Sequence, residues 1–319
     1  MRYEKLGRTD IDLSKIIMGT WQAGKRMWSG IEDRDSIQAL QAAFDSGITT
    51  FDTAEVYGEG HSEQIIGKAL GNHRHQIVIL SKVFSNHLRY DQVFEACHRS
   101  LKNLGTDYLD LYQIHWPPGT WGGEEVPPEE TMRALCELVQ QGKIRAIGVS
   151  NFNAEQIAEA SRYGRIDSLQ PPYSLFWRAV EAETLPYCRE QDQSVLAYSS
   201  LAQGILADRF AGEIHFEPGD HRAKNRLFQE PHWTRVQAAL AELRPIAKAC
   251  GMTMAQLALA WITTKPGMFA IAGARRAEQI RETAAAGMHV LSDGDWAEVD
   301  RIGRTVTDHL DDNPLLWNF

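Results

Sequence analysis

The sequence of 319 residues predicts an α/β fold in which eight parallel strands close into a (β/α)₈ barrel, or TIM barrel. Short apolar or β-branched runs alternate with longer stretches of helical periodicity, and eight such pairs follow one another. No linker or change of composition separates them, so we expect one barrel domain over residues 1–319. A doubly wound sheet usually carries a Gly-rich dinucleotide turn, and no GxGxxG motif follows the first strand.

The predicted strands are short and almost continuously apolar, which is typical of strands buried on both faces of a parallel sheet. A turn signal at Gly7–Asp10 predicts an N-terminal β-hairpin that covers the bottom of the barrel. The eight predicted strands are Ile16–Gly19, Thr49–Asp52, Ile77–Ser81, Leu109–His115, Ile144–Val149, Ser168–Gln170, Ser194–Tyr198 and Met268–Ala272.

The helices between these strands have recognisable ends. One apolar stripe predicts a helix that begins near Asp33 and ends before Gly47, and another predicts a helix that ends at Gly251. A glycine after a periodic segment favours a left-handed C-terminal cap. Three further glycines are predicted to cap helices in this way: Gly105, Gly142 and Gly164.

Two longer segments interrupt the alternation. Residues Pro117–Glu130 are rich in proline and glycine, and residues Ala202–Pro231 are polar with little periodicity. Both follow predicted strands, so we expect them as extra loops on the C-terminal face, where barrel enzymes build their active sites.

Composition excludes several classes of protein. The net charge of −9 and the absence of a basic patch argue against nucleic acid as a partner. No apolar run approaches the roughly 18 residues of a membrane span, and four separated cysteines without a CxxC pair suggest reduced thiols. We therefore expect a cytoplasmic protein that acts on a small molecule. The sequence does not indicate its oligomeric state.

Four ionisable side chains lie at or just beyond the ends of three consecutive predicted strands. Asp52 and Tyr57 follow the second strand, Lys82 follows the third, and His115 ends the fourth. Adjacent strands would bring them together at one end of the barrel. A phenol titrates near 10, and a neighbouring ammonium lowers its pKa. We expect Lys82, held by Asp52, to activate Tyr57 for proton exchange with a carbonyl oxygen, to which His115 also donates a hydrogen bond.

The segments that carry these residues resemble those of the aldo-keto reductases, in particular bacterial NADPH-dependent members and the branch related to potassium-channel β subunits. The resemblance implies that Tyr57 is the general acid/base, that Lys82 and Asp52 tune and orient it, and that His115 positions a carbonyl substrate. The matching segments are Met18–Trp21, Phe51–Gly58, Leu80–Lys82, Leu109–Trp116 and Gly148–Phe152.

The resemblance also implies NADPH or NADP⁺ as the cofactor. A glycine-containing turn that opens a helix suits a phosphate, and the adjacent Arg275 and Arg276 suit the extra 2′-phosphate of NADPH. The implied cofactor-binding residues are Gly19, Thr20, Trp21, Asp52, Ser150, Asn151, Gln170, Tyr198, Ser199, Leu201, Gln203, Gly204, Arg209, Arg222, Gly273, Ala274, Arg275, Gln279, Glu282 and Thr283.

Aromatic residues after the first and fourth strands predict an apolar substrate pocket. Its predicted members are Trp21, Trp28, Tyr57, His115, Trp116 and Trp121.

Three other functions are conceivable for such a barrel. A hydrolase with paired carboxylates would leave the tyrosine and the lysine unexplained, and the scattered histidines do not suggest a metal site. An NADPH-binding sensor or regulatory subunit that acts through a protein partner remains the alternative, because the channel β subunits retain the same residues.

Overall fold

The structure, a computed structural model, describes residues 1–25, 30–210, 214, 216, 220–311 and 313. Its eight parallel strands form a closed barrel in which each strand pairs with the next along the chain and the last pairs with the first. The predicted (β/α)₈ barrel is therefore confirmed. The barrel strands are β3 (Ile16–Gly19), β4 (Thr50–Asp52), β5 (Val78–Val83), β6 (Leu109–Ile114), β7 (Ile144–Ser150), β8 (Ser168–Gln170), β9 (Ser194–Ala197) and β10 (Met268–Gly273).

A hairpin of β1 (Tyr3–Lys5) and β2 (Asp12–Ser14) precedes the barrel. Leu6 at its turn is fully buried among apolar side chains inside the barrel. The backbone N–H of Gly7 donates to Ser194 Oγ at 2.7 Å, at the N-terminal end of β9. The hairpin thus covers the bottom of the barrel, as the sequence predicts.

Helices follow each barrel strand, and two more lie outside this repeat. Two helices, α7 and α8, lie between β9 and β10, and α7 is the additional one. The helix α10 follows α9 and packs against α7. The sequence pattern did not predict α10. The helices are α1 (Asp33–Asp45), α2 (His61–Leu70), α3 (Tyr90–Leu104), α4 (Pro128–Gln140), α5 (Ala154–Ala160), α6 (Thr184–Glu190), α7 (His232–Ala249), α8 (Met254–Thr263), α9 (Ala277–Ala285) and α10 (Asp293–Thr307).

The three glycines predicted to cap helices differ in backbone conformation. Gly105 and Gly142 are left-handed, with φ values of 66° and 68°, as expected at the ends of helices. The prediction for Gly164 is wrong, because its φ lies outside the left-handed region. A Cβ at Gly164 would lie 2.4 Å from Cys136 Sγ, so close packing against α4 requires glycine there.

Both predicted loops lie on the C-terminal face, after β6 and β9. The first is tied to the loop after β5 by a hydrogen bond of 2.9 Å from Ser85 Oγ to the carbonyl oxygen of Thr120. The second contains short 3₁₀ turns at Ala202–Ala207, His221–Lys224 and Arg226–Phe228.

The described residues contain neither a single helix suited to span a membrane nor a group of side chains suited to hold a metal ion. No helix by itself combines the length and apolar character of a membrane span, and only α7 and α8, a pair bent by 85°, reach them together. In the same part of the chain, no three His, Cys, Asp or Glu side chains come together as a metal site would require.

Candidate active site

Three neighbouring strands carry the four predicted catalytic residues to one end of the barrel. Asp52 ends β4, and His115 directly follows β6. Lys82 was predicted to follow its strand, but it lies inside β5, which ends one residue later at Val83. The backbone of Lys82 pairs with Gln113 of β6. Tyr57 lies in the loop after β4. The structure therefore brings the four side chains together as the sequence predicts.

Lys82 is the buried centre of this group. Its ammonium lies 2.6 Å from Asp52 Oδ1 and donates to the carbonyl oxygen of Thr53 at 2.7 Å. The Tyr57 hydroxyl is 3.5 Å from the same nitrogen. Lys82 is fully buried, and an ammonium without water is stable only when paired and hydrogen-bonded. Burial lowers the pKa of Lys82, and Asp52 opposes that shift.

A close approach of two backbones holds Tyr57 in place. A Cβ at Gly58, whose φ is +64°, would lie 2.3 Å from the carbonyl oxygen of Gly24. A Cβ at Gly24 would lie 2.6 Å from the carbonyl carbon of Tyr57. Only glycine at both positions lets the turn after β3 support the loop that carries the phenol.

The surroundings of Tyr57 raise the pKa of its hydroxyl well above the ordinary value, chiefly by burial and further by the Asp52 carboxylate. The expectation that the Lys82 ammonium lowers this pKa stays a prediction, because burial and Asp52 are the causes that set the net direction. The ammonium lies 2.6 Å from Asp52 Oδ1 and 3.5 Å from the phenol oxygen. The phenol stays protonated at neutral pH, which is the form that donates a proton.

His115 lies beside the phenol. Its ring meets the ring of Tyr57 edge-on, with 5.7 Å between centroids, and the ring of Phe84 at 5.6 Å. Burial lowers the pKa of His115 well below its ordinary value, and the charge of Lys82 lowers it further. The imidazole is therefore neutral at physiological pH and can donate one hydrogen bond.

Two glutamine side chains contact Asp52 Oδ2, the carboxylate oxygen that does not face Lys82. Gln170 Nε2 donates to Asp52 Oδ2 at 2.8 Å, and Gln113 Nε2 lies 3.5 Å from the same oxygen. Gln113 is fully buried on β6, and sequence reasoning missed it. It could have been found from the sequence as a polar residue within an apolar strand that neighbours the strand of Lys82.

The side chains of Ser150, Asn151 and Tyr198 form a connected polar group next to Gln170. Tyr198 donates from its hydroxyl to Asn151 Oδ1 at 2.9 Å, and Ser150 Oγ donates to the carbonyl oxygen of Gln170 at 2.7 Å. Asn151 Nδ2 donates to the carbonyl oxygen of His115 at 3.0 Å. These contacts connect four of the predicted cofactor-binding residues to the predicted catalytic residues.

Other predicted cofactor residues lie around the same face. Gly19 pairs with Gly273 where β3 meets β10, and Thr20 Oγ1 donates to the carbonyl oxygen of Asp52 at 2.9 Å. Ala274 is buried directly after β10. The remaining predicted residues of the turn that follows β9 are Ser199, Leu201, Gln203 and Gly204, of which Ser199, Gln203 and Gly204 have positive φ values.

The turn after β10 leads into α9. Gln279 Oε1 accepts from the backbone N–H of Arg275 at 2.9 Å, which fastens the turn. Thr283 is buried, and its hydroxyl donates to the carbonyl oxygen of Gln279 at 3.1 Å. Glu282 is exposed, and its backbone carbonyl accepts from Gln256. Arg276 is exposed at the position before the helix.

Arg209 and Arg222 of the second loop and Arg275 after β10, here called the arginine cluster, lie near enough for the first two charges to act on the third. The charges of Arg222 and Arg209 both act on Arg275, whose pKa burial lowers most. Asp220 lies among them and pairs with Arg222. Three guanidinium groups in one region provide the donor chemistry that binds phosphate.

A series of aromatic rings in contact with one another extends from His115. Trp116 and Trp121 meet edge-on with 5.4 Å between centroids, and Phe84 lies 6.3 Å from Trp121. Phe84, two residues after Lys82, was not among the predicted pocket residues. Trp21 is partly buried, whereas Trp28 lies outside the described residues.

Comparison with known proteins agrees with this arrangement. The model of the Aldo/keto reductase family matches residues 15–304. The aldo-keto reductase YhdN of Bacillus subtilis is 37% identical, over 97% of this chain and 96% of its own. The NADH-specific methylglyoxal reductase of Escherichia coli is 36% identical, over 92% of this chain and 96% of its own. The crystal structure of an aldo-keto reductase from Klebsiella pneumoniae in complex with NADPH has 30% identity and a TM-score of 0.77, and the match covers 100% of this chain and 99% of that one. These matches confirm the family resemblance: the chain belongs to the aldo/keto reductase family, a family of oxidoreductases.

Proposed function

We propose that this protein is an NADPH-dependent reductase that interconverts an aldehyde or ketone and the corresponding alcohol. The observation that carries the proposal is the contact of the Tyr57 hydroxyl with the buried pair of Lys82 and Asp52. A protonated phenol beside the neutral ring of His115 offers two donors to one carbonyl oxygen. This arrangement supports reduction of a carbonyl group.

The donor groups of the C-terminal face fit a nicotinamide dinucleotide. Ser150, Asn151 and Gln170 offer hydroxyl and amide groups for a carboxamide, and the Tyr198 ring lies beside them. The arginine cluster offers charge for the phosphates. NADPH, when bound, supplies the hydride.

The protein's own residues supply the proton and the orientation. The phenol of Tyr57 gives its proton to the carbonyl oxygen, and the neutral imidazole of His115 holds that oxygen by a hydrogen bond. Lys82 stabilises the phenolate that remains, and Asp52 keeps the ammonium in position. In the reverse direction the phenolate takes the proton of the alcohol.

We propose an apolar or planar carbonyl compound as the substrate, because the rings of Phe84, Trp116 and Trp121 form a wall beside His115. One relative is named a methylglyoxal reductase, and this name supports small dicarbonyl compounds as further substrates.

We also propose that residues 1–319 act as one barrel domain in the cytoplasm. The four free cysteines support a reducing compartment.

The function and its pH dependence can be tested together. We expect a panel of aldehydes and ketones to consume NADPH at rates that change little between about pH 6 and pH 9, because the raised pKa keeps the phenol of Tyr57 protonated. Oxidation of the alcohol product with NADP⁺ needs phenolate, so its rate should rise with pH over the same range. Absorbance of NADPH measures both directions. A panel without turnover, or a reduction rate that falls steeply above neutral pH, would contradict this mechanism.

Replacing both Arg275 and Arg276 with alanine should weaken NADPH binding by about 10- to 100-fold and leave NADH binding little changed, because only NADPH carries a 2′-phosphate. Fluorescence titration with each cofactor gives the ratio. Arg281→Ala, an exposed arginine on α9, is the matched control for lost positive charge. Equal losses for both cofactors would mean that the pair supports the loop and does not read the phosphate.

A further inference from the structure

Glu55 is a buried carboxylate in the loop that carries Tyr57, and none of the proton or hydride steps above uses it. Its side chain is 8% exposed. Glu55 Oε1 accepts from the backbone N–H of Phe84 at 2.8 Å and lies 2.9 Å from His87 Nδ1. Glu55 Oε2 accepts from Arg99 Nη2 of α3 at 3.1 Å. The carboxylate therefore joins the loop after β4 to the loop after β5 and to α3.

The backbone of Glu55 contacts the end of β5 as well. Its N–H donates to the carbonyl oxygen of Lys82 at 3.3 Å, while its side chain receives the N–H of Phe84 two residues later. The short 3₁₀ turn Ser85–His87 follows directly. Glu55 thus contacts the segment after Lys82 at three successive points.

The carboxylate of Glu55 is ionised at neutral pH. Burial by itself raises its pKa, but the hydrogen bonds from His87 and from the Phe84 N–H lower it more, so the net shift is downward. The side chains of His87 and Arg99 are 33% and 48% exposed and can turn to water. The backbone N–H of Phe84 cannot change its partner unless the loop itself moves.

Phe84 connects this carboxylate to the substrate side of the active site. Its ring meets the ring of His115 edge-on at 5.6 Å and lies 6.3 Å from the ring of Trp121. A shift of the Phe84 backbone would move this ring away from His115. The hydrogen bond from Phe84 to Glu55 therefore fixes the part of the wall that lies beside the imidazole.

We propose that Glu55 is a positioning residue that holds the Phe84 ring in the substrate wall and thereby sets the preference for aromatic over small aliphatic carbonyl compounds. An aromatic aldehyde can pack its ring against Phe84, whereas methylglyoxal has no ring to pack there. The inference rests on the proposed function in taking this wall as part of the substrate pocket.

Two variants of Glu55 test this role, because alanine removes both acceptor oxygens whereas glutamine removes the charge and keeps one oxygen for the Phe84 N–H. With NADPH as the reductant, we expect Glu55→Ala to raise KM for benzaldehyde about five- to tenfold, as for the loss of one ring contact. It should leave kcat, and KM for methylglyoxal, within about twofold of the wild type. Glu55→Gln should keep KM for benzaldehyde within about twofold.

Glu130→Ala is the matched control. Glu130 Oε1 also accepts from a backbone N–H, that of Tyr90 at the start of α3, at 2.9 Å. Its loss should leave KM for both compounds unchanged. In a Phe84→Ala background, adding Glu55→Ala should change KM for benzaldehyde by less than about twofold, because the ring through which Glu55 acts is gone.

Three kinetic results would overturn the positioning role: equal rises of KM for both compounds, equal effects of alanine and glutamine at position 55, or additive effects of Glu55→Ala and Phe84→Ala. A wild type that reduces methylglyoxal but not benzaldehyde would overturn the proposed preference. A wild type inactive towards every carbonyl compound tested would overturn the proposed function. A crystal structure of Glu55→Ala separates these failures, because a Phe84 ring still in place against His115 would overturn the positioning role itself.

Discussion

Replacing Tyr57 with phenylalanine is expected to lower kcat for carbonyl reduction by at least about 100-fold and to leave NADPH affinity nearly unchanged. The change removes only the hydroxyl, which lies 3.5 Å from Lys82 Nζ, and keeps the ring that packs edge-on against His115. Without the phenol, the oxyanion formed by reduction loses its general acid. Steady-state rates and fluorescence titration of the cofactor provide the two measurements.

Tyr112→Phe is the matched control for this variant. Tyr112 is fully buried, but its side chain packs in the apolar layer between the strands and the helices. The same loss of a hydroxyl there should leave kcat within about twofold of the wild type, as expected for a group outside the reaction. If Tyr57→Phe retained activity within a factor of a few, Tyr57 would not be the general acid.

Replacing Lys82 with methionine is expected to lower the free energy of unfolding by about 3–5 kcal/mol, because it leaves the Asp52 carboxylate buried without its ion-pair partner. Lys82 is fully buried and Asp52 is 3% exposed, so water cannot replace the lost contact of 2.6 Å. The carbonyl oxygen of Thr53 loses a donor as well. Urea denaturation of the wild type and the variant gives the difference.

The double variant Lys82→Met with Asp52→Asn separates charge from packing. Removing the carboxylate charge removes the penalty for burying it alone, so the double variant should be more stable than Lys82→Met. The Gln170 amide can still contact the asparagine that stands at position 52. A double variant no more stable than the single one would show that lost packing of the lysine side chain, and not the unpaired charge, causes the destabilisation.

Local patterns in the sequence determined the barrel and the position of its catalytic end. Strand and helix periodicities repeat along the chain, and parallel strands in a barrel present their C-terminal ends on the same face. Asp52 and His115 could therefore be assigned to one site from their places at strand ends. The N-terminal hairpin was predictable for the same reason, because a turn signal between two short runs is a local feature.

Contacts between distant segments were decided only by the tertiary structure. Burial of Tyr57 raises its pKa, and no pattern near residue 57 encodes how much water reaches the hydroxyl. Gln113 contacts Asp52, 61 residues away in sequence, and Gly164 is glycine because Cys136 lies against it. Periodicity predicts which face of a helix or strand is apolar. The effects above depend on which residues of other elements contact that face, and only the packed fold sets the distances between them.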